Sequence, residues 1–277
     1  MPSLDAIFKA YDVRGTVPDQ LDPELAHAIG VGFATFAREE SEGRGESVTR
    51  VLMARDMRPS GVELSAAFAD GVRSQGLDVV DLGLGSTDLL YFASGSMGAP
   101  GVMFTASHNP AQYNGAKFCL SGARPVGEDT GLGRIREVGE ASLAGSVPPA
   151  ATTGSISSLD VLGAFADHVR SFVDVSSLAP LRIVADTANG MGGLIVPAVF
   201  SSLPFQLEIM YGELDGTFPN HPADPIQPAN TEDLRRRVVE AGADVGLAFD
   251  GDADRVFLVD EKGVGLSGST TTAIIAA

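Results

Sequence analysis

The sequence predicts an α/β protein of two similar domains, each a mixed, mostly parallel sheet with helices on both faces. Its 277 residues are enough for roughly two domains of ordinary size. Short β-rich runs alternate with amphipathic helical patterns, as expected for parallel strands joined by crossover helices. A stretch dominated by Gly, Ala, Ser, Thr and Pro, residues 139–158, interrupts this alternation. We expect a linker there, with the end of a helix in its first part.

The first half contains one clear amphipathic helix among strands. Residues 59–76 place a proline near the start and apolar side chains at helical spacing after it, which predicts a helix. β-rich runs bounded by turn residues predict strands over 51–56, 77–83 and 101–107.

The second half repeats the same alternation. A helix is predicted over 230–242, with Asn230 or Thr231 as N-cap, two acidic residues in its first turn and Gly242 at its end. The other expected elements are a helix over 159–174, strands over 205–210, 243–250 and 255–263, and a strand with its turn over 181–190.

Charge and composition exclude several classes of partner. The formal net charge of −17 gives a surface that repels nucleic acid and anionic membranes. A phosphorylated metabolite would also be repelled unless its site were locally basic. The apolar runs are too short to span a bilayer, and the N-terminus shows no secretory signal. The single cysteine, Cys119, fits a reducing compartment, so we expect a cytoplasmic protein.

The strongest chemical motif is "AFDGDADRVF", residues 248–257. Asp250, Asp252 and Asp254 alternate with small residues directly after an apolar run, so their carboxylates can point to one side. Carboxylates about 4 Å apart repel by roughly 1–4 kcal/mol per pair, and a bound cation removes that repulsion. Oxygen ligands select Mg²⁺, Ca²⁺ or Mn²⁺ over zinc. The spacing therefore favours a metal site over a solvated acidic turn.

Other motifs are weak when taken alone. "TASHNPAQYNGAK" places Ser107 beside His108 in a loop, but neighbouring residues rarely form a hydrolytic pair. "KAYDVRG", residues 9–15, carries a lysine and an arginine whose simpler role is a surface salt bridge. "ADTANGMGG", residues 185–193, is interpreted as a tight structural turn because it lacks a phosphate-loop signature. His221 is interpreted as an ordinary loop residue.

Together, these segments resemble one family, the α-D-phosphohexomutases, which include phosphomannomutase and phosphoglucomutase. "TASHNPAQYNGAK", "DGDADR" and "KAYDVRG" carry the resemblance, and "ADTANGMGG" and "DGTFPNHPADP" support it. The segments occur in the family's order and span essentially the whole sequence. The resemblance implies an intramolecular phosphotransferase that acts on a small sugar phosphate, without nucleic acid or membrane partners.

The resemblance also implies roles for individual residues. Ser107 would carry a phosphoryl group, and one of its phosphate oxygens would join the three aspartates around Mg²⁺. Phosphoserine carries about −1.5 to −2 charges at neutral pH, so the site needs cations. Those implied are Arg14, Lys117 and Arg255. Substrate binding is assigned to Lys9, Tyr11 and Arg14, and catalytic roles to Ser107, His108, Lys117, Arg14 and Arg255.

The implied mechanism moves phosphate between O6 and O1 of a hexose, either mannose or glucose. Phospho-Ser107 gives its phosphoryl group to a hexose 6-phosphate, and the resulting hexose 1,6-bisphosphate returns its other phosphate to the serine. A base must take the proton of the attacking hydroxyl. Lys117 and His108 are both candidates, with Lys117 preferred. Two alternatives stay open, namely a phosphoglucosamine mutase of the same family and a phosphorylatable, Mg²⁺-binding fragment without turnover.

The sequence departs from the family pattern in its extent. Full members have four domains, whereas we assign 1–145 to domain I with the phosphoserine loop and 155–265 to domain II with the metal loop. Residues 266–277 are assigned to the start of a truncated domain III, where Ser269 is the expected N-cap of a short apolar helix. The sugar-selecting and distal phosphate-binding loops of the family are not found, so we expect little or no activity from this chain.

Overall fold

The computed structural model describes residues 4–276, and the chain separates into two units. The first unit runs through Ala106 and resumes over Gln112–Val161. The second unit holds the chain from Leu162 onward together with the short segment Ser107–Ala111. A piece of the serine loop is thus grouped with residues that follow it by more than fifty positions in the sequence.

The first unit is an α/β layer structure around one mixed sheet. Its elements are α1 (Leu4–Ile7), β1 (Val13–Thr16), α2 (Pro23–Glu42), β2 (Arg50–Arg55), α3 (Ser60–Ser74), β3 (Asp78–Leu84), α4 (Thr87–Met97), β4 (Gly101–Phe104), β5 (Tyr113–Leu120), β6 (Arg124–Pro125), α5 (Leu132–Leu143) and β7 (Ile156–Ser158). The strand order is β1-β5-β4-β2-β3-β7, and β6 pairs with β5. The predicted helix over 59–76 and the strands near 51, 77 and 101 are all present.

Strand β5 sets the mixed character of this sheet. It pairs antiparallel with β1, β4 and β6, whereas the pairings among β4, β2, β3 and β7 are parallel. Because β4 and β5 are antiparallel neighbours, residues 105–112 form a connection that reverses the chain at the end of β4. The mixed α/β prediction is confirmed, and this sheet has as many antiparallel pairings as parallel ones.

Aromatic side chains fill the core of the first unit. Phe33 from α2 stacks on Phe118 from β5, with ring centroids 4.9 Å apart, and Phe68 from α3 contacts both rings. All three are essentially inaccessible to solvent. Burying large apolar side chains in this way supplies most of the stabilisation of the layer between helices and sheet.

The expected linker is more ordered than its composition suggests. Helix α5 ends at Leu143, so the first part of residues 139–158 does end a helix. Residues Ile156–Ser158, however, pair in parallel with Val79–Asp81 and extend the first sheet. The first unit therefore continues to Val161, past the position 155 at which the sequence suggested a second domain.

The second unit is built on a smaller sheet. Its elements are α6 (Leu162–Arg170), β8 (Arg182–Asp186), α7 (Gly192–Phe200), β9 (Gln206–Met210), α8 (Glu232–Ala241), β10 (Val245–Phe249), β11 (Val256–Asp260) and α9 (Gly268–Ala276). The strand order is β11-β10-β8-β9, and only the β10–β11 pair is antiparallel. Parallel neighbours β8 and β10 end at the same edge, after Asp186 and Phe249 respectively.

Two helix starts in this unit differ from the expected capping. Thr231 is the N-cap of α8, but its hydroxyl donates to Pro228 O within a preceding 3₁₀ turn and does not cap the helix. Helix α9 begins at Gly268, and Ser267 accepts the N–H of Thr270. Ser267, not Ser269, is therefore the capping residue. Among residues 4–276, no helix is both long enough and apolar enough to cross a bilayer.

Candidate functional site

The acidic motif forms the tight turn between β10 and β11. The N–H of Asp250 donates to Arg255 O, and the N–H of Arg255 returns a bond to Asp250 Oδ1, both at 3.2 Å. Ala253 adopts φ +58°, a left-handed conformation that is strained for a residue with a Cβ. The turn bends the chain so that one carboxylate oxygen from each of Asp250, Asp252 and Asp254 lies within 4.8 Å of the others. The predicted convergence is confirmed.

This carboxylate cluster is largely removed from water. Asp250 and Asp252 are fully buried, and the side chain of Asp254 is 22 % exposed. Burial and the negative charges of Asp252 and Asp254 raise the pKa of Asp250 to about 7, against the opposing effects of Arg255 and Ser107. Near neutral pH, Asp250 is therefore present in both its neutral and its charged form. A bound cation would favour the charged form.

The cluster fits a hard divalent cation. Oxygen ligands on one Mg²⁺ at about 2.1 Å lie at most about 4.2 Å apart, close to the spread seen here. The donor set consists of carboxylate oxygens alone, which suits Mg²⁺ or Mn²⁺ and not zinc. One guanidinium, that of Arg255, pairs with this cluster, so three ionised carboxylates would keep a net negative charge that a divalent cation offsets. The residues present therefore fit such an ion.

Ser107 belongs to the same unit and joins this cluster. It is 3 % exposed, and its Oγ donates to Asp250 Oδ2 over 2.7 Å. Its backbone has φ +50°, an unusual conformation for a residue other than glycine and one that clusters at functional sites. A Cβ placed on Gly251 would lie only 2.4 Å from Ser107 O, so glycine is required where the serine loop meets the metal loop.

Arg255 bridges the serine and the acidic cluster. Its guanidinium donates to Asp250 Oδ2, with Nε 2.9 Å from that oxygen, and Nη2 also donates to Ser107 Oγ. Burial by itself would lower the pKa of Arg255. The charge of Asp250 and the hydrogen bond to it outweigh that effect and raise the pKa overall, so the group stays charged. The cluster thus holds its own compensating cation directly on the serine oxygen.

His108 contacts the same guanidinium nitrogen as Ser107. Arg255 Nη2 is 2.7 Å from His108 Nδ1, and a guanidinium can only donate. Nη2 has two hydrogens and contacts three acceptors, Asp250 Oδ2, Ser107 Oγ and His108 Nδ1, so they share its hydrogens. Donation to Nδ1 requires the tautomer of neutral His108 that carries its ring hydrogen on Nε2. In this arrangement the lone pair that a general base would use is already occupied by Arg255.

The remaining residues assigned from the sequence lie in the first unit. Arg14, on β1, forms a salt bridge with Asp12, as the simpler interpretation predicted, and Lys117 Nζ lies 3.5 Å from Thr87 Oγ1. Lys9 donates to Ala6 O, and Tyr11 is 84 % exposed. Tyr11 and Lys117 line one cavity of about 490 Å³ within this unit. The structure thus brings Ser107, His108, Arg255 and the aspartates together in one unit and leaves the others in the first.

Sequence reasoning did not identify two loops that support the metal turn. In the "ADTANGMGG" segment, Met191 N–H donates to Gly251 O over 2.9 Å. In the 214–225 loop, Asn220 donates to Asn189 Oδ1, and His221 Nε2 lies 3.0 Å from Asp186. Burial lowers the pKa of His221, but the bonds to Asp186 raise it overall. The two ring nitrogens of His221 contact Asp186 at the end of β8 and Pro222 O in the loop, so both are engaged within the second unit.

The chain matches two family models that describe the phosphoglucomutase/phosphomannomutase α/β/α domain I over residues 5–140 and domain II over residues 163–263. A phosphomannomutase of Salmonella montevideo is 36 % identical over 277 residues, with 97 % of this chain and 58 % of the relative covered. A Xanthomonas campestris protein named phosphohexose mutases is 39 % identical over 270 residues, with the same coverage.

The fold is also similar to a solved structure. A phosphoglucomutase/phosphomannomutase family protein from Burkholderia thailandensis superimposes with a TM-score of 0.84 at 33 % identity. The superposition covers all of this chain and 59 % of that protein. The chain therefore spans a little under three fifths of the length of these relatives.

Proposed function

Because this chain belongs to the phosphoglucomutase/phosphomannomutase family, we propose that it carries the phosphoserine and metal machinery of a hexose phosphate mutase. The proposed reaction interconverts the 6-phosphate and 1-phosphate of mannose or glucose. The Salmonella relative is a phosphomannomutase and the Burkholderia structure is a phosphoglucomutase/phosphomannomutase family protein, which favours these sugars over glucosamine phosphate. The observation that carries the proposal is the contact of Ser107 Oγ with both Asp250 and Arg255, beside two further carboxylates.

Ser107 is proposed as the phosphoryl carrier and not as a hydrolytic nucleophile. Its Oγ donates to a carboxylate and accepts from a guanidinium, and Nδ1 of the neighbouring His108 is engaged by Arg255. A phosphoryl group on this oxygen would place negative charge next to the Arg255 guanidinium and next to the ion proposed for the carboxylate cluster. Charge neutralisation of that kind is the main contribution a protein makes to phosphoryl transfer.

Asp250, Asp252 and Asp254 are proposed to hold Mg²⁺, together with an oxygen of phosphorylated Ser107. When bound, Mg²⁺ would neutralise charge on the phosphoryl group and hold its oxygens. The protein's own part is to keep three carboxylates converged in a buried turn and to supply Arg255 as a fixed cation. Loss of the Asp250 proton near neutral pH would accompany binding of the ion.

The exchange is proposed to run in two steps. In the first, a free sugar hydroxyl forms a bond to the phosphorus, the Ser107 Oγ–P bond breaks, and a hexose 1,6-bisphosphate results. In the second, Ser107 Oγ forms a bond to the other phosphorus, the sugar O–P bond breaks, and the isomeric hexose monophosphate leaves; in each step the base takes the proton of the attacking hydroxyl and the leaving oxygen receives a proton. The attacking hydroxyl's proton must go to a base, and we favour Lys117 because His108 Nδ1 already accepts from Arg255. Lys117 would need its neutral form, which nearby cations would favour.

The sugar phosphate is proposed to meet the first unit's cationic residues. Arg14 and Lys117 would offset the phosphate charge that the acidic surface repels, and Lys9 and Tyr11 would contact the sugar phosphate. Support comes from the cavity of about 490 Å³ that Tyr11 and Lys117 line, and from the exposure of Tyr11. Cys119 is the single cysteine of the sequence and can form no internal disulfide, which supports the cytoplasmic location that we propose.

The test of the carrier is intact mass after incubation with a hexose 1,6-bisphosphate and Mg²⁺. A fraction of the wild-type chain should gain about 80 Da, the mass of one phosphoryl group. Ser107→Ala should lose this fraction. Ser96→Ala is the matched control, because this α4 serine is bonded only to Ala93 O and should leave the phosphorylated fraction unchanged. A phosphorylated fraction that persists in Ser107→Ala would move the carrier to another residue.

A further inference from the structure

The turn that follows β8 lies directly against the middle of the metal loop. Met191 N–H donates to Gly251 O over 2.9 Å. A Cβ placed on Gly190 would come within 2.7 Å of the same oxygen and 3.0 Å of Gly251 Cα. Gly251 stands between Asp250 and Asp252, so its peptide orientation decides where both carboxylates begin. The 187–191 turn therefore contacts the metal loop at the residue that lies between two of the proposed metal ligands.

Asn189 is the residue that holds this turn in place. Its backbone N–H donates to Tyr211 O, and its carbonyl accepts from Asp215 N–H, both over 2.9 Å. Its side-chain Nδ2 donates to Glu213 O over 2.9 Å, and its Oδ1 accepts from Asn220 Nδ2 over 2.8 Å. The residue is 4 % exposed. Every polar group of Asn189 is thus used to join the turn to the long connection that follows β9, residues 211–227.

The backbone of Asn189 also explains the residue type. Its φ is +58°, and Ala188 before it has φ +48°. Asparagine enters the left-handed region more easily than most residues with a side chain. Glycine would enter it still more easily but would lose both side-chain bonds. Asparagine therefore combines the required backbone conformation with two loop-to-loop hydrogen bonds.

We propose that Asn189 is a positioning residue for the divalent cation. It acts through the chain Asn189, Gly190, Gly251 and never touches the ion itself. Residues behind the ligands of a metal commonly set its affinity, since the ligands must be held at the correct separation. The inference rests on the proposed metal site and adds to it a residue outside the acidic motif.

The test compares Mn²⁺ binding, measured by electron paramagnetic resonance of the free ion, in Asn189→Ala and in a matched control. Asn230 makes the same kind of bond, Nδ2 to Asp224 O over 2.8 Å, in the turn that precedes α8. Both variants lose an amide-to-carbonyl bond in the same unit, so both should lower the melting temperature. Only Asn189→Ala should weaken Mn²⁺ binding, by roughly 10- to 100-fold.

A second pair of variants keeps the test decisive if Asn189→Ala fails to fold. Asn189→Gly retains the left-handed backbone and removes only the side-chain bonds, so it should also weaken Mn²⁺ binding. Gly190→Ala leaves those bonds in place but forces its Cβ against Gly251 O, and should weaken Mn²⁺ binding by displacing the metal loop.

Two negative outcomes are distinguishable. Wild-type affinity in folded Asn189→Gly and Gly190→Ala, with a lowered melting temperature, would overturn the positioning role and leave the metal site standing. A wild-type chain that binds no Mn²⁺ would overturn the metal site itself and this inference with it. Equal loss of affinity in Asn230→Ala would also overturn the inference, because the effect would then follow stability and not position.

Discussion

The protonation state of Asp250 in the proposed site depends on the groups that surround it. It accepts from Ser107 and Arg255, and it lies within the carboxylate cluster while fully buried. Burial and the two neighbouring carboxylates raise its pKa to about 7. The folded protein therefore binds a proton at Asp250 far more tightly than the unfolded chain, in which an aspartate has a pKa near 3.9.

This shift predicts a pH dependence of stability in the absence of metal. A raised folded-state pKa stabilises the fold fully below about pH 4, and this contribution is lost as the pH rises to about 7. Asp250→Asn cannot titrate at this position. In urea unfolding with EDTA, the wild type should therefore become progressively less stable relative to Asp250→Asn between pH 5 and pH 8. Asp252→Asn, which removes one neighbouring charge, should show a smaller change.

Above pH 7, saturating Mg²⁺ should raise the free energy of unfolding of the wild type again, because the bound ion offsets the negative charge that the proton neutralised at lower pH. A wild-type to Asp250→Asn difference in the free energy of unfolding that stays constant from pH 5 to pH 8 would contradict the raised pKa.

The sequence made the aspartates and Ser107 predictable, but not the residues that support them. The aspartates are close together in the chain, and the serine lies in a motif specific enough to identify by resemblance. Asn189 and Asn220, by contrast, acquire their roles from a meeting of three loops that are separated along the chain. Spacing cannot reveal such a meeting, so the 185–193 segment could be recognised only as a tight turn.

At the scale of elements, the long helix α2 was not predicted, although most strands were. Its sequence includes Gly30 and Gly32, and glycine lowers helix propensity by about 1 kcal/mol relative to alanine. The structure gives the reason for these residues. A Cβ on Gly30 would lie 2.2 Å from Phe68 O of α3, and one on Gly32 would lie 2.3 Å from Ile135 O of α5. Close helix packing overrides local propensity here.

The turn after β2 is hydrogen-bonded to both strands that flank the serine loop. Asp56 N–H donates to Phe104 O, the last residue of β4, over 2.9 Å. Arg58 Nη1 donates to Tyr113 O, the first residue of β5, over 3.0 Å. Arg58 and Asp56 are both fully buried, and Arg58 Nε lies 3.2 Å from Asp56 Oδ2. An ion pair inside the first unit therefore fixes where the loop leaves and rejoins the sheet.

Arg58→Met should reduce the free energy of unfolding by about 3–5 kcal/mol, because it leaves Asp56 charged and buried without its guanidinium. The double variant with Asp56→Asn should recover part of that loss. Arg134→Met is a matched control, since Arg134 pairs with Glu39 at the surface and should contribute at most about 1 kcal/mol. Urea unfolding measures all three. A loss for Arg58→Met no larger than that for Arg134→Met would show that the buried pair adds nothing.

At the scale of the whole molecule, the residues proposed for the mutase reaction are divided between the two units of the chain. The serine segment Ser107–Ala111 and the metal loop fall in one unit, and the proposed cationic residues of domain I fall in the other. The domain assignment from the sequence placed the serine loop with residues 1–145. Its grouping with the second unit depends on contacts between residues distant in the chain, which composition and spacing do not report.

We expect residues 1–277, produced by themselves, to bind Mg²⁺ but to show little mutase turnover. It spans 58 % of the length of the Salmonella phosphomannomutase, and the sugar-selecting motifs of the family are not found in it. Binding energy from parts of a substrate remote from the reacting atoms is used to accelerate the chemical step, so losing those contacts lowers kcat. Coupled assays with mannose, glucose and glucosamine 1-phosphates measure turnover directly. Robust turnover by chain of verified mass would refute this expectation.

The bond between Ser107 and Asp250 joins residues 143 positions apart, and this separation has a consequence for the newly made protein. At synthesis rates of 5–20 residues per second, the ribosome adds Asp250 roughly 7–29 s after Ser107. Throughout that interval the serine hydroxyl lacks its carboxylate and its guanidinium, and no metal loop exists to receive an ion. We therefore expect the proposed phosphorylation of Ser107 to begin only after the metal loop has been synthesised and the second unit has left the ribosome.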